Sequence, residues 1–265
     1  MHLSDLHFGR VDYALLQPLT RIIAEIQPHL VVVSGDLTQR AKPAQFREAR
    51  AFLDTLPGTK LVVPGNHDVP LYNVFQRLFQ PLAKYRRFIS EDLEPVYVDD
   101  EIAVVGVNTA RSAVFKGGRI NARQVERLRA RLCELDERIT KIIVTHHPFD
   151  LPPDYQGHRI VGRAARAMEM FARCGADILL SGHLHASHAG DTTARWKIGD
   201  FSALVVQAGT ATSTRGRGEA NAFNLLRIER SQVEIQHLLW DGGRFSAGSP
   251  ERYDHTSTGW RKIQA

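Results

Sequence analysis

Five stretches, LSDLH, VSGD, VPGNHD, VTHH and LSGHLH, each place Asp, Asn or His directly behind a short apolar run. The metal-binding side chains among them are Asp5, His7, Asp36, Asn66, His146, His183 and His185. They offer three oxygen donors and four imidazoles. That is too many for one four-coordinate zinc, and no thiolate stands with them as a structural zinc site would require. Mixed nitrogen and oxygen ligation suits two divalent cations of manganese, iron or zinc that share a carboxylate. Such a pair stays net positive beside two aspartates and would attract a phosphate. A lone histidine would be read as a surface or core residue; five junctions of one kind ask for one explanation.

The apolar runs read as strands buried on both faces: Leu30 to Val33, Leu61 to Val63, Ile102 to Val107, Ile142 to Val144, Ile178 to Leu180 and Ala203 to Val206. Helical periodicity falls between them at Leu15–Ile26, Ala44–Leu56, Ala122–Leu135 and Val161–Cys174, the last stopped by Gly175. Strands alternating with helices predict a layered α/β fold, which collects functional groups at the carboxyl ends of its strands. Small residues such as Ser34-Gly35, Pro64-Gly65 and Ser181-Gly182 allow close approach there. Phe223 and Leu225, then Val233 and Ile235, alternate about Arg230-Ser231 and predict a closing hairpin. The expected organisation is one domain over residues 1–240 and a polar, loosely held tail over 241–265. Only Met1-His2-Leu3 precede the first junction, so a longer first strand is expected upstream of the given start.

The chain has 265 residues, 43% of them hydrophobic and 24% charged, enough for a substantial core. No apolar stretch approaches the ~20 residues of a membrane helix, and no leader of the secretory kind is visible, so a cytoplasmic protein is expected. A net charge of +5 suits an anionic substrate without implying nucleic acid. Cys133 and Cys174 lack CxxC spacing and are read as small buried hydrophobes.

Asp5-x-His7, Gly35-Asp36, Gly65-Asn66-His67-Asp68, His146 and Gly182-His183-x-His185 resemble, in order and in strand context, the signature of the calcineurin-like metallophosphoesterases. The resemblance implies a four-layer α/β/β/α sandwich with a dinuclear site at one end of the sheets. It assigns Asp5, His7 and His185 to one metal and Asn66, His146 and His183 to the other, with Asp36 bridging. It implies attack on a phosphodiester by a hydroxide that both metals share. His67 would stand beside the leaving group as a phosphate contact or general acid, and Asp68 would orient its imidazole or serve as a turn residue. His147 would line the cleft.

Val105 to Thr109, Gly117 to Ile120, Gln124, Gly209 to Ser213 and Asn221 to Asn224 further resemble the bacterial class III cyclic-nucleotide phosphodiesterases. The implied partner is a small phosphodiester, with a 3',5'-cyclic nucleotide as one candidate. Nucleic acid, as for a repair-type nuclease, is less favoured because no DNA-binding segment is visible. An acylated nucleotide-sugar pyrophosphate hydrolase is disfavoured because related enzymes resemble GNRD where this chain has GNHD. A non-catalytic binding module is disfavoured by the intact ligands. The aromatic stripe of residues 71–89, interrupted at Pro81, is expected to pack on the sheet, a lid being the alternative. The Arg-Gly stretch Ser213 to Gly218 is a candidate phosphate contact.

Overall fold

The apolar runs do form strands, and the intervening periodic segments form helices. The computed structural model describes residues 1–111, 117–155, 157–215, 218–256 and 259–263. In chain order β1 (His2–Leu3), α1 (Leu16–Ile26), β2 (Leu30–Val33), α2 (Pro43–Thr55) and β3 (Thr59–Val62) come first. The short helices α3 (Val74–Phe79) and α4 (Ala83–Phe88) follow, then β4 (Val96–Val98), β5 (Ile102–Gly106), α5 (Ala122–Leu132) and β6 (Thr140–Val144). Next stand α6 (Ala164–Cys174), β7 (Ile178–His185), β8 (His188–Asp191) and β9 (Leu204–Gly209). The closing part is all strand: β10 (Ala222–Glu229), β11 (Gln232–Trp240), β12 (Phe245–Ala247), β13 (Glu251–Thr256) and β14 (Gly259–Lys262).

One sheet runs β14-β13-β11-β10-β1-β2-β3, with β12 also paired to β11; the other runs β4-β5-β6-β7-β9-β8. Leu30, Val32, Leu61 and Val63 of the first sheet pack with Val104, Ile142, Leu180 and Val206 of the second. The outer face of the first sheet carries α1, α2 and α4 through Leu19, Ile23, Phe46, Phe52 and Tyr85. The outer face of the second carries α5 and α6 through Val125, Leu128, Met168 and Phe171. The result is an α/β/β/α sandwich. Its helices begin and end for local reasons. Pro43 opens α2 at a position where its missing N–H costs nothing. Asn121 accepts from Gln124 N at 2.9 Å while Gln124 Oε1 accepts from Asn121 N, a reciprocal cap for α5. Gly175 closes α6 in the left-handed region.

Three expectations need correction. Residues 241–265 are not a loose tail where they are described, because β12, β13 and β14 extend the first sheet and bury Phe245, Tyr253 and Trp260. Their polar residues pair with one another, Arg252 with Glu234 on the face away from Tyr253 and Lys262 with Glu251 at the margin of the Tyr253 face. The aromatic stripe divides at Pro81. In α4 Tyr85 is buried and Phe88 stacks on Phe46, as expected, whereas Phe75, Leu78 and Phe79 of α3, with Tyr72 just before it, turn outward. The buried side chain of α3 is Arg77, which donates to Pro70 O, so polar bonding rather than the apolar stripe sets its facing.

The third correction concerns the cysteines. Cys133, exposed at the end of α5, forms a disulfide with Cys174 in the last turn of α6. The sequence separation of 41 conceals that α5 and α6 lie side by side with their C-terminal ends adjacent. Closing a loop of that length removes unfolded-chain entropy worth about 4 kcal/mol. Reduction, or the double change Cys133→Ser and Cys174→Ser, should therefore lower the urea midpoint with the slope little changed. An unaltered midpoint after both treatments would show that the bond does not constrain the unfolded chain.

Candidate metal centre

Parallel pairing of β1-β2-β3 in one sheet and β5-β6-β7 in the other aims their carboxyl ends at a common edge. Asp5 and His7 follow β1, Asp36 follows β2, Asn66 to Asp68 follow β3, His146 follows β6, and His183 and His185 end β7. The side chains meet in two groups. In the first, His7 Nε2 and His185 Nε2 stand 3.3 Å apart, with Asp5 Oδ1 3.5 and 3.2 Å from them. In the second, His146 Nε2 lies 3.3 Å from His183 Nδ1 and 3.1 Å from Asn66 Oδ1. Asp36 Oδ2 joins them, 3.8 Å from His7 Nε2 and 3.3 Å from His146 Nε2. All seven expected ligands are thus brought together.

The chemistry of this donor set fits metal. Facing imidazole nitrogens cannot both present lone pairs to each other without a shared cation. Asp5 Oδ1 is buried with no hydrogen-bond donor. Donors about 2.1 Å from a metal ion stand roughly 3.0–3.4 Å apart, which is the spacing seen here. The surrounding atoms direct the lone pairs inward. His146 Nδ1 donates to Ser34 O at 2.8 Å, leaving Nε2 as acceptor. Asp5 Oδ2 accepts from Ser4 Oγ at 2.6 Å and from His183 N at 2.9 Å. Asp36 Oδ1 accepts from His67 N at 2.8 Å, which turns Oδ2 to both groups.

The backbone carries strain at the same residues. Asp5, His7, Asp36, His183 and His185 have φ of 53°, 51°, 53°, 72° and 62°, a region L-residues avoid. Each costs on the order of 1–3 kcal/mol and persists where the surroundings enforce it. The enforcing bonds include Thr210 Oγ1 to Asp5 O at 2.7 Å, Thr212 Oγ1 to Leu6 O at 2.9 Å and His7 N to Asp36 O at 2.9 Å. Ser4, Ser34, Thr210 and Thr212 were not picked out as supports from sequence; the GTATS run was the signal available.

Charge follows the geometry. Burial would raise the Asp5 carboxyl, but His185, His7 and His146 outweigh it and hold it well below its usual range. Burial opposes charge on His146 too, yet Asp36 and Asp5 raise it to about 9. His183 is pushed down to about 3 by burial and then by His146. An incoming metal ion must displace the His146 proton, whereas His183 is already neutral.

His67 lies over the first group, its ring edge-on to His7 with centroids 4.9 Å apart. Its Nδ1 donates to Gln39 O at 2.9 Å, so a main-chain carbonyl rather than Asp68 holds the imidazole. The Asp68 carboxylate instead accepts from Leu37 N, Thr38 N, Thr38 Oγ1 and Gly65 N, tying the Asn66–Asp68 turn to the loop after β2. That is its turn reading. His147 is buried, with Nδ1 2.8 Å from Thr109 Oγ1 and its ring against His146 and His183. Gly216 and Arg217 of the Arg-Gly stretch lie outside the described residues.

Residues 1–187 match the family described as calcineurin-like phosphoesterase. The chain belongs to that family. This calcineurin-like phosphoesterase is 26% identical to a cAMP/cGMP dual specificity phosphodiesterase of Mycobacterium tuberculosis, over 92% of this chain and 80% of the relative. It is 27% identical to the 3',5'-cyclic adenosine monophosphate phosphodiesterase CpdA of Escherichia coli, over 70% of this chain and 68% of the relative. A dimetal phosphatase structure from Danio rerio shares the fold, with a TM-score of 0.64 and 13% identity, over 89% of this chain and 94% of that one. The protein is a metal-dependent phosphoesterase. No helix among the described residues is long and apolar enough to cross a membrane.

Proposed function

We propose that the protein hydrolyses phosphodiesters of small molecules, cyclic nucleotides among them, with two divalent ions of manganese, iron or zinc. The observation that carries this reading is Asp36 Oδ2 standing between two complete donor groups. Asp5, His7 and His185 would hold one ion, and Asn66, His146 and His183 the other. When bound, such ions lower the pKa of water far enough to furnish hydroxide near neutral pH and neutralise charge on phosphoryl oxygens. Asp36 keeps the two groups in register, Ser34 O fixes the His146 tautomer, and His67 covers the phosphoryl side of the site. The named relatives act on cyclic nucleotides, which supports a diester rather than a monoester.

Metal-reconstituted protein should turn over bis(p-nitrophenyl) phosphate and at least one of 3',5'-cyclic AMP, 3',5'-cyclic GMP or a glycerophosphodiester. Linear DNA and a nucleotide sugar should be poorer substrates by kcat/KM. Turnover confined to phosphomonoesters would refute the diester reading. Preference for linear DNA would favour the nuclease.

A further inference from the structure

Two guanidinium groups converge on His67. Arg215 Nη1 lies 3.1 Å from His67 Nε2 and 3.4 Å from Gln39 Oε1. Arg40 Nη1 donates to Gln39 O at 3.0 Å, 3.4 Å from His67 Nδ1. Resting on the phosphodiesterase reading, we infer that Arg215 is a substrate-contacting residue. It places a permanent positive charge at the leaving-group side of the scissile phosphoryl, and His67 aims it.

The hydrogen-bond geometry at the two ring nitrogens places the donors. Gln39 O can only accept, so His67 Nδ1 bears the hydrogen. Arg215 Nη1, which can only donate, stands 3.1 Å from Nε2. At the edge of the ring that faces away from Gln39 O, the donor is therefore arginine. A guanidinium stays protonated, so it stabilises charge on a departing oxygen without transferring a proton. In the hydrolysis, water oxygen bonds to phosphorus, giving up one proton to solvent, as the P–O bond to the alcohol breaks. The bonding pair leaves with the alcohol oxygen, which takes its proton from solvent.

The loop bearing Arg215 is fastened to the metal centre. Ser213 Oγ accepts from Arg215 N at 3.1 Å, and Asn221 Nδ2 donates to Ser213 O at 3.0 Å. Thr214 N donates to Arg10 O at 2.8 Å, and Val11 bridges Ser213. Thr210, at the start of this loop, holds Asp5 O. The backbone that carries Arg215 is thus fixed relative to Asp5 by main-chain and side-chain bonds, and its guanidinium by His67 Nε2 and Gln39 Oε1.

The test uses full-length, manganese-loaded protein with metal content checked, carrying Arg215→Ala, Arg215→Lys, His67→Ala or the Arg215/His67 double alanine change. Orthovanadate affinity is read by calorimetry, and turnover on aryl methyl phosphodiesters of graded leaving-group acidity. Arg215→Ala should weaken vanadate at least about tenfold, the scale of one charge-assisted hydrogen bond. It should lower kcat on the order of 10²-fold for poor leaving groups and far less for p-nitrophenolate. Arg215→Lys should recover part of both. The double variant should be no worse than Arg215→Ala, because the two residues act as a unit. Unchanged vanadate affinity in Arg215→Ala, or losses that multiply in the double variant, would overturn the inference. If the wild type turns over no diester while Arg215→Ala still loses vanadate, the phosphodiesterase reading fails and the arginine contact stands.

Discussion

Asp36→Asn should give a folded protein that no longer holds two metal ions and has lost turnover. The substitution keeps shape but replaces one acceptor by an NH2 donor. Asp36 Oδ1 already receives His67 N at 2.8 Å, so the amide oxygen will be drawn there and the NH2 turned towards both donor groups. Each group would then meet a donor where its cation requires an acceptor, and the site would lose one negative charge. Removing partners one step further from a metal costs about 10–100-fold in affinity or activity, and a shared ligand should cost more. Metal per chain by mass spectrometry and turnover on an activated diester check this. Two bound ions with wild-type activity would end the bridging role. The metal-free protein supplies a second readout. Asp36 is a main contributor to the raised His146 pKa of about 9. Their attraction stabilises the fold fully below the unfolded imidazole value near 6.5 and fades as pH rises towards about 9. Urea denaturation in EDTA should show that decline in the wild type and a flatter profile in Asp36→Asn.

Gly65→Ala should damage the same centre from the backbone side. A Cβ at residue 65 would collide with Asp36 Oδ1, which His67 N holds at 2.8 Å, and with the Asp36 main-chain nitrogen, which cannot swing aside. Gly65 N also donates to Asp68 Oδ2 at 2.9 Å, so the residue cannot back away without releasing the Asn66–Asp68 turn. Overpacking of this kind costs about 1–3 kcal/mol, a fall of several degrees in Tm. Metal content and activity should fall together with it. Gly175→Ala is the control. At φ 68° and with open space around its Cβ, it should lose about 1–2 kcal/mol from backbone strain alone. Its metal content should remain intact. Retention of both ions and full activity by Gly65→Ala would mean that the loop after β2 yields more easily than its hydrogen bonds indicate.

The seven candidate ligands were readable because each follows a short apolar run, and strands of parallel sheets deliver their carboxyl ends to one edge whatever the loops do. Their identity as ligands depended on side-chain type, which is local information. The positive φ at Asp5, His7, Asp36, His183 and His185 was not readable, since no glycine or asparagine marks it. At Asp5, His7 and Asp36 it is held by Thr210, Thr212 and main-chain carbonyls from other loops. The outward face of α3 and the strands β12 to β14 escaped for a related reason. Helical or alternating pattern reports burial only when one face is dry, and here ion pairs and a buried arginine replace the usual contrast.

Composition and residue order alone pointed to the α/β layering and to the side chains that gather at the strand ends, because periodicity and side-chain chemistry act over a few residues. Tertiary packing decided that Cys133 meets Cys174, that Gln39 O rather than Asp68 holds His67, and that Arg215 reaches its Nε2. Those contacts join residues from 28 to 148 positions apart. Nothing local distinguishes them; they exist only once two sheets have closed around a common edge.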